Sequence, residues 1–422
     1  MLETVRTAWR IKELRERILF TLAMFVVFRV GSVIPVPGVD ASLLAEFFQE
    51  DTIFGFVNII GGGNLANFTI FALGIMPYIN ASIIMNLLTI VIPKLKEWSQ
   101  EGPEGRKKIT QITRYGTIVI ALIQALGLST VIAGEAVIDK SPLSYITIII
   151  SLTAGTAFLM WMGELITEKG IGNGISLIIF AGIVAGFPIG VAMVAEQYRF
   201  GQVNLLTILA VLIILLILIV GIIGLDQGQR RINVQYSKRV VGRKMYGGQA
   251  THIPMKVNQA GVIPVIFASA LMTAPRTVLS FFPTNGVIQF LDVALDYTQP
   301  WGLLLYVTLV IMFTFFYTSL QVDPEKIAEN LSKNGSYIPG VRPGNDTKKH
   351  IAVILNRITV LGALSLAFIA ALPFLLPMIT PLPQSVSLGG TGIIIVVGVA
   401  LETMKDLSGQ LTQRSYRGFS GK

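Results

Sequence analysis

Cysteine is absent from the 422 residues, which excludes disulfide frameworks, thiolate zinc sites and cysteine nucleophiles and leaves the redox compartment open. Histidine is almost as scarce: His252 and His350 are the only two, too few for a histidine-rich metal centre. Charged residues make up 14% of the chain, against roughly 25% in soluble domains. Neither a Gly-x-x-x-x-Gly-Lys-Ser/Thr loop nor a His-Glu-x-x-His pair occurs, so the P-loop and zinc-protease chemistries are excluded. No catalytic constellation, metal or cofactor is expected, and energy for any transport must come from a partner. What is abundant is apolar surface, with 53% hydrophobic residues, which defines an integral membrane protein.

A membrane helix needs about 20 mainly apolar residues. Such runs fall near 18–38, 70–92, 112–133, 143–163, 175–195, 203–224, 259–279, 301–321, 351–372 and 388–404, ten in all. The first follows a charged amphipathic stretch (1–17) with Arg6, Arg10, Lys12, Arg15 and Arg17, so it is expected to remain as a span rather than be removed as a signal. Residues 52–92 carry no charge and are long enough for two crossings. A double crossing would put Lys94, Lys96, Arg106, Lys107, Lys108 and Arg114 opposite the basic N-terminus, against the positive-inside rule. One crossing restores agreement and leaves about 54–65, broken by Gly61-Gly62-Gly63, as a short re-entrant piece. Inner segments then carry five basic residues in 1–17, six in 93–114, one in 164–174, seven in 225–258, five in 322–350 and four in the tail 405–422. That is 28 of the 33, with three on the outer side and Arg29 and Arg357 within spans. Both termini are expected on the cytoplasmic side.

Gly74-Ile75-Met76-Pro77 in the second span and Gly261-Val262-Ile263-Pro264 in the seventh share one pattern, and glycine-rich stretches precede the fifth (Gly170 to Gly174) and the tenth (Gly389-Gly390-Thr391-Gly392). An odd offset of five reverses direction through the membrane. This predicts an all-α polytopic protein of two inverted five-helix halves, 18–195 and 203–404, with a pathway between them. Gly and Pro are also simply common in membrane helices. The candidate walls present Ile79 and Ile83, and Ile179 and Ile183, each pair at i, i+4 on one helix face. An apolar constriction can block ions by dewetting, although ordinary lipid- or core-facing packing is the commoner role for such residues. Ion-coupled transporters place charges at depth, and here only Arg29 and Glu402 come near that description. A small-solute transporter therefore stays as the alternative, beside a scaffold with no pathway.

The loops 225–258 and 322–350 are the long cytoplasmic segments. In the first, Ile232, Val234 and Tyr236 alternate with polar neighbours, as in a strand of a two-stranded finger. Its Arg230, Arg231, Lys238, Arg239, Arg243 and Lys244 suit phosphate backbones or an acidic protein face, or serve only orientation and lipid headgroups. In the second, Pro339-Gly340 and Pro343-Gly344 flank Arg342 at a loop tip. Gly170 to Gly174 lacks the strand and Lys of a phosphate loop and reads as a tight turn.

Several stretches together carry a family resemblance across the whole chain: Phe28-Arg29-Val30-Gly31 with Ile34-Pro35-Val36-Pro37-Gly38, Gly74 to Ile79, Gly170 to Ser176, Gln229-Arg230-Arg231-Ile232, Ala260 to Pro264, and Ile338 to Gly344. The sequence resembles the SecY family of protein-conducting channels. The resemblance implies an hourglass pore with an isoleucine ring of Ile79, Ile83, Ile179, Ile183, Ile266 and Ile395. It implies a plug over Phe54, Gly55, Phe56, Val57, Asn58, Ile59, Ile60, Gly61, Gly62, Gly63 and Asn64, and a lateral gate between the second and seventh spans with Ser82, Asn86 and Gln124. It further implies SecE and SecG as membrane partners, the SecA motor ATPase or a ribosome at the basic loops, signal peptides and nascent chains as passengers, and release of apolar segments into lipid.

Overall fold

The computed structural model describes residues 2–40, 62–132, 136–201, 203–236, 239–241, 244–246, 250–279, 282, 285–297, 299–379 and 384–419. Helices α1 (Leu2–Arg10) and α2 (Lys12–Gly31) open the chain, followed by α3 (Met76–Val91), α4 (Pro93–Gln100), α5 (Pro103–Ile132), α6 (Pro142–Lys169), α7 (Gly174–Arg199) and α8 (Leu205–Gln227). Strands β1 (Gln229–Tyr236), β2 (Arg239–Val241), β3 (Lys244–Tyr246) and β4 (Ala250–Lys256) come next. The remainder is α9 (Ile263–Leu279), α10 (Gly286–Ala294), α11 (Pro300–Gln321), α12 (Pro324–Lys333), β5 (Ser336–Tyr337), α13 (Asn345–Ile379) and α14 (Gln384–Phe419). Proline marks many of the starts: Pro77, Pro93, Pro142, Pro300 and Pro324 each stand in a first turn, where the missing N–H costs no helical hydrogen bond.

Six of the described helices are long and apolar enough to cross a bilayer, and α3 with α4, bent by 102° at their junction, is a seventh. The other expected spans fall on α2, α9 and α14, which are helical as well. Of these, α9 is a short apolar helix of 17 residues. Helix ends differ from the hydropathy runs. The second span starts at Met76 rather than 70, because residues 62–75 are turns whose Leu65, Phe68, Ala72 and Leu73 are buried against Ala121, Ala125 and Leu128 of α5 and Ile148 and Leu152 of α6. In the other direction, α13 and α14 run well past their apolar windows, and α14 carries the helix through most of the expected tail.

The repeated Gly-x-x-Pro pattern has one shape in both places. Gly74 (φ +58°) and Gly261 (φ +64°) hold the left-handed conformation that side chains resist, and Pro77 and Pro264 follow in the first turns of α3 and α9. The second pair of glycine stretches does not match. Asn173 caps α7 with its side chain, accepting from the N–H groups of Ile175 and Ser176 at 3.0 and 3.3 Å, whereas Gly389 to Gly392 lie inside α14. The 170–174 turn is used up internally: Arg17 donates to the Gly170 carbonyl and Ile171 N–H donates to Thr21. Beside it Ala8, Leu14, Ile171 and Leu407 form one buried cluster, so the beginning of the chain packs on the part of α14 that extends past its apolar window.

The two long polar loops form a single platform. The expected two-stranded finger is real, with β1 antiparallel to β4 from Gln229↔Lys256 to Gln235↔Ala250, but it is a three-stranded sheet, because β5 of the second loop pairs with β1 at Gln235↔Tyr337 and Tyr236↔Ser336. Ile232 and Val234 point inward as the alternation predicts, joining Met255, Ile338, Ile351, Ile354, Leu355 and Ile358 in a buried cluster on the start of α13. Removing most of one such side chain costs about 2–5 kcal/mol. Ile232→Ala is therefore expected to speed amide exchange in β1, β4 and β5 together while leaving the membrane helices protected. Acceleration confined to β1 would show the loops are not one unit.

Candidate functional site at the junction of the halves

Helix α3 of the first half lies against α9 of the second, and α7 lies against α14. These four helices supply Ile79 and Ile83, Ile266, Ile179 and Ile183, and Ile395. All six are buried, between 1% and 8% exposed, and all belong to the same apolar cluster. Gly392 of α14 gives Ile183 its room, since a Cβ there would come 2.9 Å from the Ile183 Cγ2. The expected plug lies outside the described residues from Phe54 to Gly61. Its end is visible. Gly62 (φ +73°) approaches the backbone of α7 so closely that a Cβ on it would fall 2.7 Å from the Gly182 carbonyl oxygen, one residue from Ile183. Asn64 follows, 1% exposed, with neither amide atom of its side chain hydrogen-bonded among the described residues. A buried unpaired amide costs roughly 1–3 kcal/mol, so this segment sits against the junction at a free-energy cost.

On the α3–α9 face, Asn86 donates from Nδ2 to the Tyr317 hydroxyl of α11 at 3.4 Å, a polar link between the halves. Tyr317 in turn meets Phe267 of α9 edge to face, with ring centroids 5.2 Å apart. Further along the same face, Gln124 of α5 lines a crevice with Asn80 of α3 and Thr273 and Thr277 of α9. Ser82 is half-buried on α3 and does not line this crevice. Tyr317, Asn80 and Gly182 escaped the sequence reading. The available signal was a tyrosine deep in an apolar run, whose hydroxyl needs a partner.

On the platform, Arg230, Arg231 and Arg342 are exposed. Lys238 and Arg243 lie outside the described residues, and Arg239 and Lys244 fall on β2 and β3, which pair as the tip hairpin. The Arg342 turn is held by Val341 N–H donating to Ile338 O and by Thr347 donating to Arg342 O at 2.8 Å. Arg29 is exposed on α2, and Lys405 pairs with Asp226 across α14 and α8.

Solved structures with the same fold include a protein-conducting channel, TM-score 0.68 at 21% identity over 93% of this chain and 91% of that one. Another is the channel of a canine ribosome-channel complex from the endoplasmic reticulum, TM-score 0.64 at 20% identity over the same shares. The architecture is therefore the polytopic helical fold of those structures. The SecY family profile matches residues 69–404. The protein translocase subunit SecY of Halalkalibacterium halodurans is 50% identical over 99% of this chain and all of its own length, and that of Bacillus subtilis is 48% identical over 99% of each. The chain belongs to the SecY family.

The Asn86–Tyr317 bond is worth about 1 kcal/mol. Tyr317→Phe is expected to shift the α3–α9 contact toward separation roughly fivefold, read as a longer distance component between spin labels at Leu87→Cys and Leu271→Cys. An unchanged distribution would show that this bond does not hold the halves.

Proposed function

We propose that the chain is the channel subunit of a protein translocase in the cytoplasmic membrane, with both termini and the 225–258 and 322–350 platform inside the cell. It moves unfolded, signal-bearing polypeptides through the junction between its halves and releases apolar segments sideways between α3 and α9. The observation that carries this reading is that six isoleucines from four helices of both halves are all buried in one shared apolar core. An apolar ring binds no ion and no particular side chain, so it excludes water when closed and yields to chemically varied chains when spread.

Each further role follows from where its residues sit. The Gly62 segment, pressed on α7 beside Ile183, is the end of a plug that leaves with the passenger, and its unpaired Asn64 amide lowers the cost of leaving. Asn86 and Gln124, with Ser82 beside them, give the gate face polar surface that a signal segment can exchange for its own contacts. Arg230, Arg231 and Arg342, with Lys238, Arg239, Arg243 and Lys244, form the docking surface for the SecA motor or a ribosome; SecE and SecG are the expected membrane partners. The packing of Ala8 and Leu14 against Leu407 supports placing the beginning and end of the chain on one side.

Paired polar substitutions Ile83→Ser and Ile183→Ser are expected to raise chloride efflux from vesicles holding the idle translocase severalfold. Efflux equal to wild type would remove the seal assignment. For docking, Arg342→Glu is expected to slow motor-driven export on the order of tenfold, about 1.4 kcal/mol, with the protein still inserted at normal levels. Export at the wild-type rate would reject the docking role.

A further inference from the structure

Helix α9 starts where β4 leaves the platform, and α11 returns to the platform through α12, so α10 between them lies at the opposite, outer end of both. Helix α9 has only 17 residues, about 25 Å, which is less than the roughly 30 Å of hydrocarbon. Its far end therefore stops at or below the outer interface. Three residues before that end is Arg276, 6% exposed. It is buried by carboxylates that come from outside its own helix, with Nε 2.9 Å from Asp292 Oδ1 on α10 and Nη1 3.4 Å from Asp296 Oδ1 just after it. The three groups fix α10 at the level of the last turn of α9.

Among the described residues, none packs over the opposite face of α10. Val287, Phe290 and Leu291 stand at i, i+3 and i+4, and the first two are each 71% exposed. Phe282 before the helix and Trp301 in the first turn of α11 are exposed in the same way, and Trp is the residue that marks membrane–water boundaries. From Trp301 the apolar surface continues along α11 through Leu304 and Met312, on a helix that crosses the bilayer. We propose that α10 is an interfacial helix seated in the outer leaflet, its Val287–Phe290–Leu291 face among the lipid chains, and that Arg276 ties it to the outer end of α9. Arg276 is then a positioning residue. If α9 is the gate helix of the reading above, the bilayer holds one end of the gate through this tie. Lipid exposure of α10 does not depend on that reading and is measured in idle vesicles.

The natural absence of cysteine makes single labels clean. In the full translocase reconstituted in phospholipid vesicles, a nitroxide at Phe290→Cys is expected to collide more with oxygen than with a water-soluble nickel chelate, and one at Gln289→Cys the reverse. Nickel preference at both positions would place the helix in water, and shielding of position 290 from both reagents would mean that a protein covers it; either result overturns the proposal. For the tie, Asp292→Asn with Asp296→Asn is expected to broaden the distance distribution between labels at Val278→Cys and Phe290→Cys. Arg276→Lys, which keeps the charge but loses the fork, is expected to broaden it less. A distribution as narrow as wild type in both would reject the tie.

Discussion

Everything in this molecule depends on an apolar contact between two membrane-spanning halves. Burial of the isoleucine cluster is stabilised against water at about 25 cal/mol per Å². Against lipid it has no such advantage, because hydrocarbon chains are as apolar as the helices. The same contact is therefore hard to hydrate along its axis and easy to part toward the bilayer. Its strength is non-directional, so it can close again around any passenger without a specific register. What direction it has among the described residues comes chiefly from the bond of Asn86 to Tyr317, beside a crevice lined in part by Asn80, Gln124, Thr273 and Thr277.

On the proposed reading a contact of this kind needs something to move it, and the two loops are joined so that they can pass on a load. Because β5 pairs with β1, a load on either of the two long polar loops is shared by both. From the sheet it reaches the membrane along two short routes. Ile232 and Val234 pack on the beginning of α13, and beyond β4 the chain runs through Val257, whose carbonyl lies so close to Gly362 of α13 that no side chain fits there, before entering α9. Helices α9 and α13 thus both begin at this sheet, the surface proposed above for a docking partner.

Much of this was legible in the sequence where the signal is local. The Gly-x-x-Pro starts of α3 and α9, the tight turn at Gly170 to Gly174 and the inward Ile232 and Val234 each follow from a few neighbouring residues. Non-local pairings were not legible. A two-residue strand such as β5 has no pattern to recognise, and its partner lies about a hundred positions away. The approach of Gly62 to Gly182 and the partners of Arg276 depend on which helices meet. Hydropathy also misplaced helix ends, because it measures where lipid can be rather than where backbone hydrogen bonds stop: residues 70–75 are apolar yet turn, and 345–350 are polar yet helical.

The central claim, that passengers cross between the halves, is tested most directly by arresting a signal-bearing polypeptide in mid-transit. The polypeptide would carry a photoreactive residue at successive positions, and the adducts would be mapped on the chain. The account predicts adducts at Ile83, Ile183, Ile266 and Ile395 for positions at mid-membrane depth. Adducts confined to lipid-facing residues such as Leu216 of α8 or Leu304 of α11 would contradict it.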